Sequence, residues 1–423
     1  MRDNRRKKKM RVWIDIYHVP QFNFYVAMMK ELVARGHEVL LTVLDRGKTV
    51  KIARTDLERM GLLGNGVQVF AVGKHKMTKW SVLWDANICR LVELGQWRRK
   101  HKVDVCLTNG FQAAVWSKVY GNPCYTFGDD PDTFDYWPKV WFATKVHFCL
   151  VDKQYIDGNG RELAASVDVT RCMKEWAYLN PRTFVPKVEV LEKYGVKPKE
   201  YMFLREVSVG TINYAGQASG AILGIKDMIP MDMRVLFSLE EKKRRDEYPA
   251  DWILLQEPIE DIHSLIYYAA GLVSSGDSMA REAALLGVPS YYLGIRYSMP
   301  ANAAASKVAS LQNQRTMGFE EWIKEYIESK PKTQDSQSPE DDSLLTSPYS
   351  AHEQAPGQTN DPSIVADALL NPLQKQTKNA KNGHAGENVI EQRMKQQQEL
   401  RARIDAEFID INAYMLALVE NNM

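Results

Sequence analysis

The stretch that decides the fold is "AGLVSSGDSMAREAALLGVPSYYLG", from Ala270 to Gly294. A short apolar run leads into a small polar turn, a helix-like run follows, and Gly287-Val288-Pro289 ends that run before a second apolar segment. Glycine followed closely by proline is typical of the end of a helix, and short runs rich in valine and aromatic residues favour strands. The stretch therefore predicts a strand, a turn, a helix and a further strand.

The turn in this stretch is a candidate anion-binding site. It consists of Ser275, Gly276, Asp277 and Ser278. Where a strand of a parallel sheet passes through such a turn into a helix, the backbone N–H groups of the helix start can hold a phosphate. Glu282, one helical turn further on, is placed to accept the hydroxyls of a ribose. The alternative is an ordinary strand-to-helix connection with Arg281 and Glu282 on a solvated face.

The same alternation of apolar and helix-like runs covers most of the chain. The predicted strands are "RVWIDI", "HEVLLTVL", "GVQVFAVG", "VDVCLTNG", "CYTFG" and "VHFCLV" in the first half, and "YMFLREV", "MRVLFSL", "DWILLQ", "AGLVSS" and "SYYLG" in the second. This pattern predicts an α/β protein with two doubly wound parallel sheets. We expect an N-terminal Rossmann-like domain over residues 10–185 and a C-terminal one over residues 186–330.

The ends of the chain differ from this pattern. Residues 1–9 form a basic tail, and residues 331–385 are polar and rich in proline and serine, which predicts a disordered linker. Residues 386–423 have apolar positions at three- and four-residue steps and predict a long helix. That helix either folds back on its own core or mediates docking or self-association.

Composition limits the class of protein. The 423 residues are 45% hydrophobic, which is ample for two cores, and the net charge of +2 gives no global field that favours nucleic acid. Five cysteines without C-x-x-C spacing predict reduced, buried thiols. No run approaches the roughly 20 apolar residues of a membrane span. We expect a cytoplasmic protein, at most peripheral at the inner membrane face. Walker and zinc-binding patterns are missing from the sequence. The Gly-x-Gly-x-x-Gly fingerprint is also missing, which argues against a dehydrogenase.

Several motifs, in order, resemble a known group of proteins. Gly276, Glu282 and Gly287-Val288-Pro289 keep the spacing of the nucleotide-sugar site in GT-B glycosyltransferases of the lipid II synthase (MurG) type and, more loosely, in non-hydrolysing UDP-GlcNAc 2-epimerases. The chain also resembles DUF354, a family defined as a domain of unknown function. That resemblance rests on "VWIDIYHVP", "ELVARGHEVLLTVLDRGKT", "VGKH", "KEWAYL", "IHSLIYYA" and "SMAREAALLGVP", which lie between about residues 10 and 330.

The resemblance implies a GT-B-like fold whose two domains face a cleft, with a UDP-sugar or another nucleotide sugar as substrate and no separate cofactor or metal. The donor would lie at the turn, with Arg281 and Arg205 near its diphosphate, because a guanidinium fork suits phosphate oxygens. Asp277 departs from the Gly-Gly-Thr that the family tends to show. A carboxylate beside a diphosphate costs Coulomb energy unless it turns away or is neutralised.

The same resemblance assigns an acceptor side to the N-terminal domain. His18, after the first strand, is the predicted catalytic base, since a transferase needs a group that deprotonates the acceptor hydroxyl and histidine titrates near neutral pH. Lys74 and His75 follow the third strand, and Asn109 and Gly110 follow the fourth. A loop hydrogen bond for His18 and ordinary surface charge for Lys74 and His75 are the alternatives.

Three functions remain open at this stage. The first is a glycosyltransferase of cell-surface polysaccharide or glycolipid synthesis, the second an epimerase of the UDP-GlcNAc type, and the third a sugar-nucleotide-binding or assembly protein without catalysis. Tryptophans and basic residues in "KHKMTKWSVLW" (residues 74–84) and "WRRKHK" (residues 97–102) predict contact with an anionic membrane that carries a lipid-linked acceptor. Core packing and a solvated helix end are the alternatives for these two segments.

Overall fold

The computed structural model describes residues 9–46, 48–74, 84–131, 133–150, 163–209, 216–256, 259, 261–297, 299–328 and 385–422. The chain forms two compact units, residues 1–328 with 396–423, and residues 329–395. Both sheets belong to the first unit. Of the second unit the structure describes residues 385–395, which are helical. Nearly all of the predicted basic tail and linker lies outside the described residues.

The N-terminal domain contains a parallel sheet, as predicted, and the sheet has seven strands. Its strand order is β3-β2-β1-β4-β5-β6-β7, so the order reverses between β1 and β4. The strands are β1 (Arg11–Ile16), β2 (Glu38–Asp45), β3 (Val67–Lys74), β4 (Val105–Thr108), β5 (Cys124–Gly128), β6 (Lys145–Leu150) and β7 (Val167–Arg171). The edge strand β7 was not predicted, because its sequence "VDVTR" is short and half polar.

The helices of this domain connect successive strands. They are α1 (Val19–Ala34), α2 (Thr49–Arg59), α3 (Arg90–Lys100), α4 (Gln112–Val119), α5 (Tyr136–Phe142) and α6 (Trp176–Leu179), and a π-helical turn (Trp84–Cys89) precedes α3. The connections through α3, α4 and α5 all run in one direction along the sheet. Since such crossovers are right-handed, these three helices lie on the same face.

The C-terminal domain is a six-stranded parallel sheet with the order β10-β9-β8-β11-β12-β13. The strands are β8 (Tyr201–Glu206), β9 (Arg234–Leu239), β10 (Ile253–Leu254), β11 (Gly271–Ser274), β12 (Ser290–Tyr292) and β13 (Gln312–Asn313). The helices are α7 (Ile262–Tyr267), α8 (Asp277–Leu285), α9 (Pro300–Ala309) and α10 (Phe319–Trp322), with 3-10 segments at Val188–Tyr194, Leu223–Met228 and Lys242–Glu247 and a π-helical segment at Ile323–Glu328. The stretch from Ala270 to Gly294 thus forms β11, α8 and β12, as predicted.

The C-terminal segment folds back on the first unit. The single predicted helix is in fact two, α11 (Ala385–Glu407) and α12 (Ile411–Glu420), because the Asp410 side chain accepts the N–H of Ala413 at 3.0 Å and starts a new helix. Gln397 is buried, donates to the carbonyl oxygens of Tyr267 (3.0 Å) and Leu286 (2.8 Å), and anchors the segment on the C-terminal domain.

The same segment also reaches the N-terminal domain. Glu420, the last residue of α12, pairs with Arg35 just after α1 at 2.7 Å. Of the two predicted roles for this segment, folding back on the core is confirmed for residues 396–422. Within the described ranges, no helix is both long and apolar enough to cross a bilayer. Four of the five cysteines are buried, Cys89 is half-buried, and all five are free thiols.

Candidate functional site

The candidate site lies where the strand order of each sheet reverses. In open parallel sheets, ligands bind in the crevice beyond the carboxyl ends of the two strands on either side of that point. In the N-terminal sheet these strands are β1 and β4, which are followed by His18 and Asn109. In the C-terminal sheet they are β8 and β11, and the turn that begins at Ser275 follows β11.

Ion pairs join the two crevices across the domains. Arg281 in α8 lies 3.6 Å from Asp129, which follows β5, and 2.8 Å from Glu175, just before α6. Arg296, after β12, lies 3.7 Å from Asp130. The carboxyl ends of the two sheets therefore face each other. The acidic loop "FGDDPDTFD" (residues 127–135) contributes Asp129 and Asp130 to these ion pairs.

The turn after β11 is closed by internal hydrogen bonds. The N–H of Ser275 donates to the carbonyl oxygen of Arg205 (3.0 Å), that of Gly276 to Ser274 Oγ (3.0 Å), and that of Ser278 to Asp277 Oδ1 (3.0 Å). These three N–H groups are already hydrogen-bonded within the protein. Binding of a phosphate at this turn stays a prediction.

Asp277 is neutralised rather than turned away. Its carboxylate lies 3.3 Å from Arg281 Nη1 and 3.4 Å from Arg296 Nη1. Arg281 is thus paired with carboxylates, and its contact with a diphosphate stays a prediction. The guanidinium is 2% exposed, and its nitrogens also face Glu175 at 2.8 Å and Asn302 at 2.6 Å. The carboxylates around Arg281 hold its pKa well above the ordinary value, although burial acts in the opposite direction.

Arg205 is likewise engaged within the protein. Its backbone carbonyl meets the turn, but its guanidinium donates to Ser238 Oγ at 2.7 Å and pairs with Glu240. Because this guanidinium is paired with Glu240, it would have to leave that partner to reach a diphosphate, and the predicted contact stays a prediction.

Glu282 is buried and does not lie on a solvated face. It is 6% exposed, accepts the Tyr178 hydroxyl at 2.6 Å, and lies 3.5 Å from His263 Nε2. Burial alone would raise the pKa of this carboxyl, but His263 and the Tyr178 hydrogen bond outweigh burial and hold the pKa below its ordinary value. Glu282 is thus an ionised acceptor one turn into α8, and its contact with a ribose stays a prediction.

Two residues that sequence reasoning missed support the turn. Glu206, the last residue of β8, is buried and accepts Ser275 Oγ at 2.9 Å and the N–H of Ile222 at 2.7 Å. Gln217 donates to the carbonyl oxygen of Ser275 at 2.9 Å, while its Oε1 is buried and has no partner among the described residues. An acidic residue ending the apolar strand "YMFLREV" was a signal for Glu206, whereas Gln217 carries none.

His18 lies at the predicted place, just before α1, but its protonation differs from the prediction. Its Nδ1 lies 3.3 Å from Arg46 Nη1. Burial, followed by the positive charges of Arg46 and Lys174, lowers its pKa to about 3, although the Tyr17 backbone and Asp129 act in the opposite direction. The expectation of titration near neutral pH is therefore wrong for the unliganded protein, in which the imidazole is neutral at pH 7.

Lys174 and Asp129 lie together close to Arg281. Lys174 Nζ lies 3.1 Å from Asp129 Oδ2. Burial would raise the pKa of Asp129, but Lys174 and Arg281 outweigh it and lower that pKa to about 2. The motif "KEWAYL" thus supplies Lys174, the partner of Asp129, and Glu175, the partner of Arg281.

The remaining predicted acceptor residues lie at the ends of β3 and β4. Asn109 is buried, donates to the Phe127 carbonyl at 2.8 Å, and keeps an Oδ1 that has no partner among the described residues. Gly110 serves packing instead of a ligand, because a Cβ there would collide with the Tyr17 hydroxyl. Lys74 is exposed at the end of edge strand β3, two strands and about 10 Å from β1, so it does not reach His18 through the sheet. His75 lies outside the described residues.

A buried ion pair supports the loop beneath His18. Arg90 Nη2 lies 2.7 Å from Asp15 Oδ1 in β1, and both side chains are fully buried. The Arg90 guanidinium also stacks 4.1 Å from the centre of the Tyr17 ring. Since Tyr17 directly precedes His18, this pair fixes the chain where it leaves β1.

The two segments predicted to touch a membrane are only partly exposed. In "WRRKHK", Trp97 is buried against Trp13 with ring centroids 5.1 Å apart, and buried Arg98 donates to Asn122 at 3.0 Å. Those two residues therefore follow the core-packing alternative. Of "KHKMTKWSVLW" the structure describes Lys74 and Trp84, and Trp84 is 59% exposed.

The fold is similar to that of solved structures of other proteins. No family model matches the chain, and no curated protein matches it in sequence. The Methanocaldococcus jannaschii UDP-GlcNAc 2-epimerase in complex with UDP-GlcNAc and UDP is 14% identical with a TM-score of 0.54, over 76% of this chain and 94% of that one. The S. aureus MnaA–UDP co-structure is 12% identical with a TM-score of 0.50, over 76% and 99%. The fold is GT-B-like, and the resemblance to DUF354 remains one of motifs.

Proposed function

We propose that the protein is a nucleotide-sugar-dependent glycosyltransferase, with the donor at the C-terminal sheet and the acceptor at the N-terminal sheet. The observation that carries this proposal is the pair of facing crevices, one ending in His18 and Asn109 and the other in the turn from Ser275 to Ser278. The Methanocaldococcus jannaschii epimerase is in complex with UDP-GlcNAc and UDP, and the S. aureus MnaA with UDP, so this fold accommodates a uridine nucleotide.

In this proposal Glu282 accepts the ribose hydroxyls, since it is ionised and held in place by Tyr178. The acceptor oxygen forms a bond to the anomeric carbon as the bond to the diphosphate breaks, and the acceptor proton must leave. His18 is the predicted base for that proton. It can act only after Arg46 releases Nδ1, because in the unliganded protein that nitrogen already accepts from the guanidinium.

Two other functions are compatible with parts of the site. An epimerase of the UDP-GlcNAc type shares the fold, and His263 beside Glu282 provides a further histidine in the crevice. A binding or assembly protein without catalysis fits the closed turn and the fully paired Arg281. The acceptor crevice at His18 favours the transferase, because an epimerase needs no second substrate.

One experiment separates the three functions. The pure full-length protein is incubated with a panel of radiolabelled nucleotide sugars, without and with lipid-linked and soluble acceptors. Label that moves to an acceptor supports the transferase, and a changed sugar without acceptor supports the epimerase. Binding without turnover supports the non-catalytic protein, and absence of both binding and turnover refutes all three.

We propose further that the acceptor side approaches a membrane through exposed aromatic residues at α5 and before α3. Phe134 precedes α5, Trp137 and Trp141 lie in it with Trp141 59% exposed, and Trp84 precedes α3. Tryptophans settle at the headgroup layer of a bilayer. Flotation with anionic and neutral vesicles tests this contact. Trp137→Ala with Trp141→Ala should abolish flotation, whereas Lys100→Ala should leave most of it.

A further inference from the structure

The single helical turn α6 lies between the C-terminal segment (residues 396–422) and α8. Trp176 and Tyr178 are two positions apart in α6, and at about 3.6 residues per turn their side chains leave the helix on nearly opposite sides. The Trp176 indole N–H donates to Asp405 Oδ1 in α11 at 3.1 Å. The Tyr178 hydroxyl donates to Glu282 Oε1 in α8 at 2.6 Å. A chain of contacts therefore runs from α11 through α6 to the carboxylate that is predicted to hold a ribose.

The C-terminal segment also completes the backbone hydrogen bonds of α6. The last carbonyl groups of a helix have no partner within it, and a helix of four residues has few bonds of its own. The carbonyl oxygen of Ala177 accepts from Asn412 Nδ2 at 2.7 Å, and that of Leu179 accepts from Arg401 Nη2 at 2.9 Å. The position of α6 thus depends on side chains of the C-terminal segment.

Asp405 is the residue of this segment that contacts the side chain of Trp176 through a hydrogen bond and is itself fixed. Its Oδ2 accepts from Arg182 Nη1 at 2.7 Å. The Phe408 ring packs against Trp176 in an edge-on arrangement, with ring centroids 5.8 Å apart. Trp176 is buried, so loss of the Asp405 acceptor would leave its N–H with little access to water. Such a loss favours a shift of α6, and Tyr178 would move with it.

We propose that Asp405 is a positioning residue that holds Glu282, through α6, in the orientation that binds a nucleotide ribose. A carboxylate accepts two hydroxyls well only when its orientation is fixed in advance, and the Tyr178 hydrogen bond fixes one of its oxygens. The nucleotide site is then complete only while the C-terminal segment is docked. The ribose as ligand rests on the proposed function, whereas the coupling of Asp405 to Glu282 does not.

The first test measures UDP affinity by calorimetry in the full-length protein. Asp405→Ala should weaken UDP binding about fivefold, and Asp405→Asn, which keeps an acceptor for the Trp176 N–H, should restore most of the affinity. The matched control is Glu407→Ala in the same helix. Glu407 is 36% exposed and lies 3.9 Å from Arg171, so its loss should change the affinity less than about twofold.

A double-mutant cycle shows whether Asp405 acts through Tyr178. Tyr178→Phe removes the hydroxyl that holds Glu282. In that background Asp405→Ala should weaken UDP binding by less than about a further twofold, because residues that act through one another are not additive. Additive losses, or full affinity in a folded Asp405→Ala protein, overturn the positioning role.

Hydrogen exchange tests the same coupling from the other end and needs no Asp405 variant. The N–H of Ile409 donates to the carbonyl oxygen of Arg171 at 3.0 Å and reports the docked segment. Because coupling between two sites is reciprocal, saturating UDP should slow exchange at Ile409 at least about threefold, and the slowing should disappear in Tyr178→Phe. Unchanged exchange in the wild type with UDP bound, or equal slowing in folded Tyr178→Phe, overturns the proposal.

NMR of labelled tyrosine separates this proposal from the proposed function. The Tyr178 ring signals are assigned from the Tyr178→Phe spectrum. Without any nucleotide, Asp405→Ala should shift these signals and Glu407→Ala should not. If UDP does not bind, the proposed transferase is refuted, and shifted Tyr178 signals still support the coupling of Asp405 to Glu282. Unshifted signals in a folded Asp405→Ala protein overturn that coupling, whether or not UDP binds.

Discussion

Replacement of Arg281 by methionine removes the cation that joins the two domains. Arg281 is 2% exposed, and its guanidinium faces Glu175 at 2.8 Å, Asp277 at 3.3 Å and Asp129 at 3.6 Å. Removing one partner of a buried ion pair typically costs about 3–5 kcal/mol, because the other charge stays buried without compensation. Lys174 still holds Asp129 and Arg296 still holds Asp277, so we expect a loss near the lower end, about 3 kcal/mol.

The assay is equilibrium urea unfolding followed by tryptophan fluorescence. The matched control is Arg59→Met, which removes an arginine that is 58% exposed and 3.4 Å from Asp56. Exposed pairs of this kind contribute about 0–1 kcal/mol, so the control should unfold close to the wild type. A loss below about 1 kcal/mol for Arg281→Met would refute the argument that this cation stabilises the domain contact.

The pH dependence distinguishes charge from packing in the same variant. In the wild type, Asp129 has a pKa of about 2 and remains ionised well below neutral pH, so its contribution to stability is lost only as the pH falls towards that value. Buried carboxylates without their cation bind protons more readily, and protonation relieves the unpaired charge. The deficit of Arg281→Met should therefore shrink between pH 7 and pH 4. A deficit that is constant over this range would indicate lost packing instead.

Further predictions concern the ligand contacts, one buried histidine and the C-terminal segment. Glu282→Ala should weaken UDP binding by about 1.5–3 kcal/mol in calorimetry, and unchanged affinity would remove Glu282 from the ribose site. His18→Gln should lower turnover about 100-fold if His18 is the base, whereas retained activity would place the base elsewhere. Burial lowers the pKa of His147 to about 4, so its contribution to stability is present above pH 6.5 and is lost as the pH falls to about 4. His147→Phe should flatten this decline by at most about 1.4 kcal/mol per pH unit in urea titrations, and an unchanged slope would contradict the assignment. A nonspecific protease should cut the chain between about residues 330 and 363. The C-terminal fragment should then co-elute with the core in gel filtration, and Gln397→Ala should release it. An uncut segment, or a wild-type fragment that separates from the core, would contradict this prediction.

The local sequence pattern alone predicted the fold class of the protein. The alternation of apolar and helix-like runs predicted two parallel sheets, because strand and helix periodicities are properties of neighbouring residues. The direction of parallel strands then placed His18, Asn109 and the turn from Ser275 to Ser278 at carboxyl ends, where crevices form. The short strands β7 and β13 and the break at Asp410 were missed, since short polar strands and a helix cap have weak local signals.

The state of each site residue was decided by the tertiary structure. Arg281 and Glu282 looked available to a ligand in the sequence, but their partners Glu175 and Tyr178 are more than 100 positions away, at separations of 106 and 104 residues. His18 has the residue type of a base, yet Arg46, 28 positions away, occupies its acceptor nitrogen and determines which nitrogen carries the proton. A sequence establishes which polar groups lie at the end of a strand. Which of them meet, and which remain charged, depends on the burial and Coulomb energy of groups brought together only when the two domains pack.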